Sequence, residues 1–263
     1  MMIGLVVSDP PTPYPYYDHH DESTNSPTPF PYNSQSPNLV AKGRKKSPPP
    51  PPSKLPPPPP PVVHFDFFKL VERWPKTFCF TKTCRTDIQQ KFVIHGLWPT
   101  IKAPSGSQPE DCEEVKGVNF YMFDSKVYYQ LQKEWPSLIY NNRQKEEDNT
   151  FWTQQWRKHG TCSSIKLEDY FKLTLDIHKR TILKDVLQKK SIKPDEKNSL
   201  PRENIFDAIK EAIEGKNPEI LCVEYKNKSY VKEIRMCLDK TKDHKYMDCP
   251  RKYVNCPTNV YFP

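Results

Sequence analysis

The stretch FVIHGLWP, residues 92–99, decides the fold of this chain together with a second stretch, FWTQQWRKHGTC, residues 151–162. The first is a short apolar run ended by glycine and proline, which predicts a buried strand. The second predicts a helix that ends at Gly160. Each holds one histidine followed by glycine, His95 and His159, and Lys158 directly precedes the second. The chain therefore sets one imidazole on a strand and another, beside an ammonium, at the end of a helix.

The sequence around these stretches predicts a mixture of strands and helices. VVHFDFFKLVERWP, residues 62–75, predicts another buried strand, and the segment 221–239 predicts a hairpin that turns at KNKS. Residues 101–118 predict a loop. Helical periodicity predicts helices over 125–135, over 167–192 as one long element, and over 201–215 between a proline start and a glycine end. The remainder is expected to be cysteine-stapled coil, so the fold class is α+β.

The first 61 residues differ in composition from the rest. They hold most of the 30 prolines, including SPPPPPSKLPPPPPP, and no cysteine or tryptophan. Such a segment cannot bury enough apolar surface to offset the entropy of ordering it. We therefore expect residues 1–61 to be a proline-rich disordered extension, either extensin-like or a spurious extension of the reading frame. Residues 62–263 are expected to form one globular domain.

The charge of the chain favours a polyanionic partner. Lys and Arg number 40 against 32 Asp and Glu, a net charge of +8, and nearly all of the excess lies after the proline-rich segment. A basic domain suits RNA, a cell-wall polymer or a membrane surface. Many secreted proteins are also basic, so charge alone leaves the partner open.

The cysteines indicate an oxidising compartment. All eight lie between Cys79 and Cys256, and an even number predicts a disulfide framework. The spacings of structural zinc sites are missing, so we expect no metal ligands. The N-terminal MMIGLVVSDPP is too short in its apolar run for a signal peptide, and no segment predicts a membrane span. We expect a secreted protein, with a vacuolar or secretory compartment as the alternative, whose signal peptide this sequence does not show.

Taken alone, neither histidine identifies a site, because one follows a core-like run and the other stands at a helix end. Together with Lys158 they supply what the transesterification of RNA requires. A neutral histidine removes the proton of a ribose 2′-hydroxyl, a protonated histidine donates to the departing 5′-oxygen, and lysine stabilises the charge on the phosphate oxygens. Histidine suits both roles because its ordinary pKa lies near 6.5.

The two stretches resemble the active-site segments of the ribonuclease T2 family, and FDFFKLVERWPKTFC, residues 65–79, resembles the N-terminal strand of that family. The resemblance extends from about Phe65 to about Cys256. The basic balance, the hairpin and the cysteine layout are most similar to the plant S-RNase branch. The resemblance implies a central antiparallel sheet packed with helices in a single disulfide-stapled domain.

The resemblance also implies a role for each matching residue. His159 corresponds to the general base, His95 to the general acid, and Lys158 to the residue that stabilises the pentacovalent phosphorane. Stacking of a base on an aromatic ring is worth about 1–3 kcal/mol. The residues implied to contact the substrate are Gln154, Trp98, Phe151 and Trp152, although the aromatic ones would also serve as core.

Two sets of covalent modifications are expected. The resemblance implies four disulfides, Cys79–Cys84, Cys112–Cys162, Cys222–Cys256 and Cys237–Cys249, where the sequence by itself leaves about a hundred pairings open. The sequon Asn227-Lys228-Ser229 lies on the predicted hairpin turn, so Asn227 is a candidate for glycosylation.

The chain departs from the family at Gln154-Gln155, where the second segment usually has His-Glu. Glutamine keeps the shape and the hydrogen-bonding reach of glutamate but loses its charge. Loss of one supporting polar group from an electrostatic site costs on the order of 10²–10³ in rate. We therefore expect Gln155, in the position of the usual glutamate, to leave the enzyme active but slower.

Three interpretations follow. The leading one is a secreted, monomeric, metal- and cofactor-independent endoribonuclease that cleaves single-stranded RNA and leaves a 2′,3′-cyclic phosphate. The alternative is a weak or inactive S-RNase-like protein of recognition, defence or storage, with a cytosolic recognition partner if it is a self-incompatibility member. A third makes residues 1–61 a tether to the cell wall or to a proline-binding partner.

Overall fold

The computed structural model describes residues 63–102 and 107–263, so the predicted proline-rich extension at 1–61 lies outside the described residues. The described strands are β1 (Phe67–Arg73), β2 (Val93–Thr100), β3 (Asp195–Pro201), β4 (Glu219–Tyr225), β5 (Lys228–Leu238), β6 (Tyr246–Met247), β7 (Tyr253–Val254) and β8 (Asn259–Phe262). The described helices are α1 (Pro75–Phe78), α2 (Ser125–Glu134), α3 (Gln144–Lys158), α4 (Leu167–Arg180), α5 (Leu183–Lys189) and α6 (Arg202–Ala212). Among these helices, none is both long and apolar enough to cross a membrane.

The sheet is built around β1, all seven residues of which are buried. Its order is β2-β1-β5-β4-β7, with antiparallel pairing except at β4 and β7. The short β6 pairs antiparallel with β5, and β8 pairs with both β5 and β3. The prediction of an α+β domain with a central, largely antiparallel sheet is confirmed.

A β-bulge lies at the first histidine. Val71 of β1 is opposite Gly96 of β2, and the next residue, Glu72, is opposite Ile94, so His95 is the extra residue of β2. A bulge bends its strand and changes the direction of a side chain, and such irregularities are common beside active sites. Here it takes His95 out of the regular alternation of β2.

Tryptophan and tyrosine side chains tie the helices to β2. Trp135, which follows α2, donates from Nε1 to the carbonyl oxygen of His95 at 3.0 Å. Trp152 of α3 donates to the Trp135 carbonyl at 2.7 Å, and Tyr170 of α4 donates to the Leu97 carbonyl at 2.7 Å. All three rings are fully buried. They fix the backbone of the bulged segment against three helices.

The hairpin is present as predicted. A two-residue turn, Lys226-Asn227, joins β4 to β5, and both residues have positive φ, 48° and 60°. Turns of this kind match the twist of the flanking strands, and asparagine tolerates the left-handed conformation well. The turn leaves Asn227 exposed.

The disulfides join the same four pairs that the resemblance implied: Cys79–Cys84, Cys112–Cys162, Cys222–Cys256 and Cys237–Cys249. Cys112–Cys162 spans 50 residues and attaches the loop after β2 to the end of α3. Cys222–Cys256 and Cys237–Cys249 fasten the C-terminal segment to β4 and β5.

Several predicted elements differ from the structure. The predicted helix 167–192 is two helices, because Thr181 leaves the helical conformation, with φ −139° and ψ 92°, and its hydroxyl bonds the Tyr246 hydroxyl at 2.8 Å. The C-terminal segment predicted as coil contributes β6, β7 and β8, which complete the sheet through backbone hydrogen bonds. The tight loop at Cys79 is preceded by the one-turn helix α1. β3 is mostly exposed, so it lacks the apolar alternation that would have predicted it.

Candidate active site

One open cleft of about 420 Å³ brings the two histidine segments together. This surface is called the cleft. Its lining includes Arg73, His95, Trp98, Glu110, Phe151, Gln154, Gln155, Lys158 and His159. It lies between β2 and the C-terminal half of α3. Seven of the eight residues predicted to form the site therefore line this cleft, and Trp152 is the exception.

His95 stands at the bulge of β2 with its side chain 26% exposed. Its Nδ1 lies 2.9 Å from Oε1 of Glu233 on β5. Burial lowers the pKa of His95, as do the nearby guanidinium groups of Arg73 and Arg235, whereas the Glu233 carboxylate opposes that shift. A carboxylate on Nδ1 stabilises the imidazolium and fixes the ring, which leaves Nε2 to exchange a proton with a substrate.

His159 stands at the end of α3 as its C-terminal cap, and its backbone N–H donates to the Gln155 carbonyl at 3.0 Å. The side chain is buried, and its Nδ1 has no hydrogen-bond partner among the described residues. Burial, with the charges of His95 and Lys158, lowers the pKa of His159 to about 3. His159 is therefore neutral at ordinary pH and able to accept a proton.

Trp98 lies close to both imidazoles. Its ring centroid is 5.1 Å from that of His95 and 5.1 Å from that of His159. The indole is buried and its Nε1 is 3.4 Å from Oε1 of Gln155. Trp98 therefore packs against both histidines, in addition to its predicted contact with substrate.

Lys158 is half exposed at the end of α3. Its Nζ lies 3.4 Å from Oε2 of Glu110, a residue of the loop that Cys112–Cys162 attaches to α3. Exposed ion pairs contribute about 0–1 kcal/mol, so a phosphate could displace Glu110 at little cost. The ammonium is thus available on the same helical turn as His159.

The glutamine pair divides between two environments. Gln155 is buried beside Trp98, whereas Gln154 is exposed at the edge of the cleft. Gly96 makes room for the first of them, because a side-chain carbon at position 96 would collide with the Gln155 amide oxygen and the Trp98 ring. Gly160 similarly makes room for the Trp156 ring. The glycine after each histidine is therefore a requirement of close packing.

The predicted aromatic residues do not all reach the cleft. Phe151 lines it, stacked at 6.3 Å from His95. Trp152 points the other way: it is fully buried, packs on Phe120 and Tyr128, and donates to the Trp135 carbonyl. Its position is structural and does not fit the predicted contact with substrate, because residues 151 and 152 occupy different faces of α3.

Sequence reasoning missed the charged residues behind His95. Glu233 accepts from His95 with one oxygen, and its other oxygen receives Nη2 and Nε of Arg235 at 2.8 and 3.1 Å. Arg235 in turn bonds Glu219 on β4. His95 and Arg235 lower the pKa of Glu233 to about 2 although burial opposes them. The available signal was Glu72-Arg73 at the end of the mostly apolar β1. β5 holds several charged residues, so Glu233 carried no distinctive signal.

The described part of the chain shows no group of three or more His, Cys, Asp or Glu side chains arranged to hold a metal ion.

Comparison with known proteins connects this site to one family. Residues 65–249 match the model of the Ribonuclease T2 family. The chain is 32% identical over 209 residues to the intracellular ribonuclease LX of Solanum lycopersicum. This alignment covers 76% of this chain and 84% of the relative. The chain is 34% identical over 208 residues to ribonuclease 1 of Arabidopsis thaliana, covering 76% of this chain and 86% of the relative.

Solved structures give the same result. RNase NT in complex with 5′-AMP superposes with a TM-score of 0.67 at 30% identity, over 76% of this chain and 98% of the other. The self-incompatibility-associated SF11-RNase of Nicotiana alata superposes with a TM-score of 0.66 at 29% identity, over 76% and 99%.

Proposed function

The chain belongs to the Ribonuclease T2 family and is a ribonuclease, and from that premise we propose that it cleaves single-stranded RNA by metal-independent transesterification in the cleft. The observation that carries the proposal is the placement of His95 and His159 in one cleft, each 5.1 Å from the Trp98 ring. Acid and base must act on two oxygens of one phosphorus, and this arrangement provides for both.

The electrostatics support a division of roles. His159 has cations for neighbours and a pKa near 3, so it is the neutral partner and takes the proton of the ribose 2′-hydroxyl. The oxygen then attacks the adjacent phosphorus. The Glu233 carboxylate lies next to Nδ1 of His95 and favours the protonated form of this histidine. His95 then gives the proton on Nε2 to the departing 5′-oxygen. The product is a 2′,3′-cyclic phosphate.

The remaining polar groups of the cleft act on the phosphate. Lys158 leaves Glu110 and stabilises the negative charge that grows on the non-bridging oxygens. The amide of Gln154, exposed at the edge, is placed to donate to the same oxygens. Gln155 supports the Trp98 ring and lacks the charge that a glutamate would bring, which is the reason we propose a slower enzyme.

Compartment and modification are part of the proposal. Four disulfides support an oxidising compartment, since such bonds are rare where glutathione keeps thiols reduced. The exposed turn at Asn227 supports glycosylation there. We propose a secreted or vacuolar glycoprotein.

The test is cleavage of single-stranded RNA by the oxidised full chain in excess EDTA, between pH 4 and 8. His95→Ala and His159→Ala are each expected to lose about 10²–10⁴-fold in kcat/KM. Lys189→Gln is the control, because Lys189 is exposed on α5 and does not line the cleft. A folded wild-type chain that cleaves no RNA, or only with added metal, would contradict the proposal and favour a recognition or storage protein.

A further inference from the structure

Strand β1 carries three buried charged residues, and two of them have partners. Lys69, 2% exposed, lies 3.6 Å from the Glu219 carboxylate. Glu72 is fully buried, with Oε1 2.7 Å from Nδ1 of His178. Arg73 is 5% exposed, and its Nε has no hydrogen-bond partner among the described residues. A buried charge without a partner is strongly unfavourable. Arg73 therefore differs from Lys69 and Glu72 in lacking a group that would offset the cost of its burial.

The carboxylate nearest to Arg73 in the sheet is already engaged. Arg73 and Glu233 are directly opposite each other on β1 and β5. One oxygen of Glu233 bonds His95, and the other bonds Arg235. Burial lowers the pKa of Arg73 to about 10, which leaves it charged at neutral pH. The cation is therefore retained without an ion pair from the described part of the chain.

The guanidinium group is held rigidly at the wall of the cleft. Its Cζ lies 4.5 Å from the Phe78 ring centroid and 4.8 Å from that of Phe151. Stacking on aromatic rings fixes the plane of the group and leaves its N–H edge for other contacts. A planar fork of N–H donors matches the oxygens of a phosphate. A cation held in this way is suited to an anionic ligand.

The position of Arg73 along the cleft indicates which anion it meets. The Phe151 ring contacts the Arg73 guanidinium group and stacks at 6.3 Å from the His95 ring. Arg73 is one of the charges that lower the pKa of His95, whereas the charges that lower the pKa of His159 are those of His95 and Lys158. Arg73 is thus on the side of the proposed acid, from which the leaving nucleotide departs.

We propose that Arg73 binds the phosphate that follows the leaving nucleotide, one nucleotide downstream of the scissile phosphate. This site rests on the proposed function, because the direction of the strand follows from His95 being the acid. It gives the enzyme a preference for RNA that continues past the cleavage point, and it adds a cation to a cleft whose glutamine pair is uncharged.

The test compares two substrates that differ only in the downstream phosphate: the dinucleoside monophosphate UpA and the same molecule with a 3′-terminal phosphate, UpAp. The wild-type chain is expected to cleave UpAp about 10-fold faster or more in kcat/KM, as for a charge-assisted hydrogen bond. Its advantage for UpAp is expected to fall as salt rises, with a logarithmic slope near 0.7 per contact. A wild-type chain that treats UpA and UpAp alike overturns the proposal whatever any variant does.

Variants then assign the effect to Arg73. In Arg73→Gln the ratio of kcat/KM between UpAp and UpA is expected to fall towards one, whereas Arg73→Lys is expected to keep part of it. Lys189→Gln removes the same charge from an exposed site and is expected to keep the full ratio. An equal loss on both substrates would place Arg73 at the scissile phosphate and overturn the proposal. A loss that depends on whether the leaving base is adenine or guanine would make it a base contact and also overturn it.

Binding separates this inference from the proposed function. Analogues of UpA and UpAp with a 2′-deoxy first sugar lack the nucleophile and cannot be cleaved by the proposed chemistry. Tighter binding of the 3′-phosphorylated analogue by the wild-type chain, lost in Arg73→Gln, supports the phosphate site even if no RNA is cleaved. Equal Kd values for the two analogues, in a chain that does cleave RNA, would leave the proposed function intact and overturn the phosphate site.

Discussion

Nδ1 of His95 lies 2.9 Å from Oε1 of Glu233, although 138 positions separate the two residues in the chain. The contact exists because β1 lies between β2 and β5, and because the bulge at His95 turns its side chain out of the strand alternation. The second oxygen of Glu233 is held by Arg235. A histidine oriented by a carboxylate that is itself oriented is a pre-organised proton donor.

Replacing Glu233 with glutamine tests this relationship through the pH profile. The carboxylate raises the pKa of His95 against the effect of burial, so its removal lowers that pKa. If His95 must be protonated to act, the alkaline limb of kcat/KM moves to lower pH in Glu233→Gln. The measurement is kcat/KM for RNA cleavage from pH 3.5 to 8. An unmoved alkaline limb, with only an overall loss of rate, would assign Glu233 a purely structural role.

The pKa values of the two histidines also predict the pH at which the wild-type chain cleaves RNA fastest. Burial lowers the pKa values of both histidines, that of His159 to about 3. The base therefore stays neutral as pH falls towards 4, and the acid loses its proton as pH rises through a value below its ordinary 6.5. The optimum is expected on the acidic side, below pH 6. An optimum above pH 7 would contradict these environments.

Gln155→Glu restores the charge that the family usually has at this position. The buried carboxylate accepts from Trp98 as Gln155 does, and its charge raises the pKa of His159. We expect kcat to rise by up to about 10² and the acidic limb of the profile to move to higher pH. Gln154→Glu, at the exposed neighbouring position, is the control and is expected to slow cleavage, because it adds a negative charge near the phosphate. A Gln155→Glu chain no faster than wild type would place the limit on rate elsewhere.

A second buried histidine, His178, is predicted to stabilise the fold through two carboxylates. His178, 3% exposed, contacts Glu72 at 2.7 Å and Glu134 at 3.4 Å. Burial alone would lower its pKa, but the two carboxylates outweigh it and raise the pKa to about 9. His178→Gln leaves Glu72 buried without its partner and is expected to cost about 3–5 kcal/mol. Adding Glu72→Gln to that variant is expected to recover part of the loss, since both charges are then gone.

The same group predicts a pH dependence of unfolding. The folded pKa of His178 lies above its ordinary value of 6.5, so its contribution is complete below pH 6.5 and is lost as pH rises through about 9. The free energy of unfolding in urea is expected to fall between pH 6 and 9.5 in wild type. In the double variant, His178→Gln with Glu72→Gln, this fall is expected to be smaller. An identical decline in both would show that other groups control it.

The parts of the fold that the sequence predicts well are those whose signal is local. The apolar runs around His95 and at 65–74 are strands, and Asn227 suits the left-handed conformation that the turn between β4 and β5 imposes. The sequence predicts one long helix at 167–192, because the apolar periodicity continues through Thr181, where the structure separates α4 from α5. The tertiary bond between the hydroxyls of Thr181 and Tyr246 interrupts it, and no local pattern reports a partner 65 residues away.

The same distinction holds for the site. The histidines, Lys158 and the glutamine pair occur in two short segments, and all of them line the cleft. Glu233 and Arg73 join the site only through strand pairing, which the sequence does not specify. Trp152 faces the core and not the cleft, because adjacent residues of a helix point in different directions. Its contacts with Trp135 and Phe120 fix which face of α3 is turned to the core.

The central claim is that His95 acts as the general acid and His159 as the general base. It is tested most directly with uridine 3′-(4-nitrophenyl phosphate), whose leaving group departs without a proton, alongside the dinucleotide UpA. We predict that His95→Ala loses about 10² or more in kcat/KM on UpA but much less on the aryl ester, whereas His159→Ala loses about 10² or more on both. If His159→Ala were the variant rescued by the aryl ester, or if neither were, the assignment of the two histidines would be contradicted.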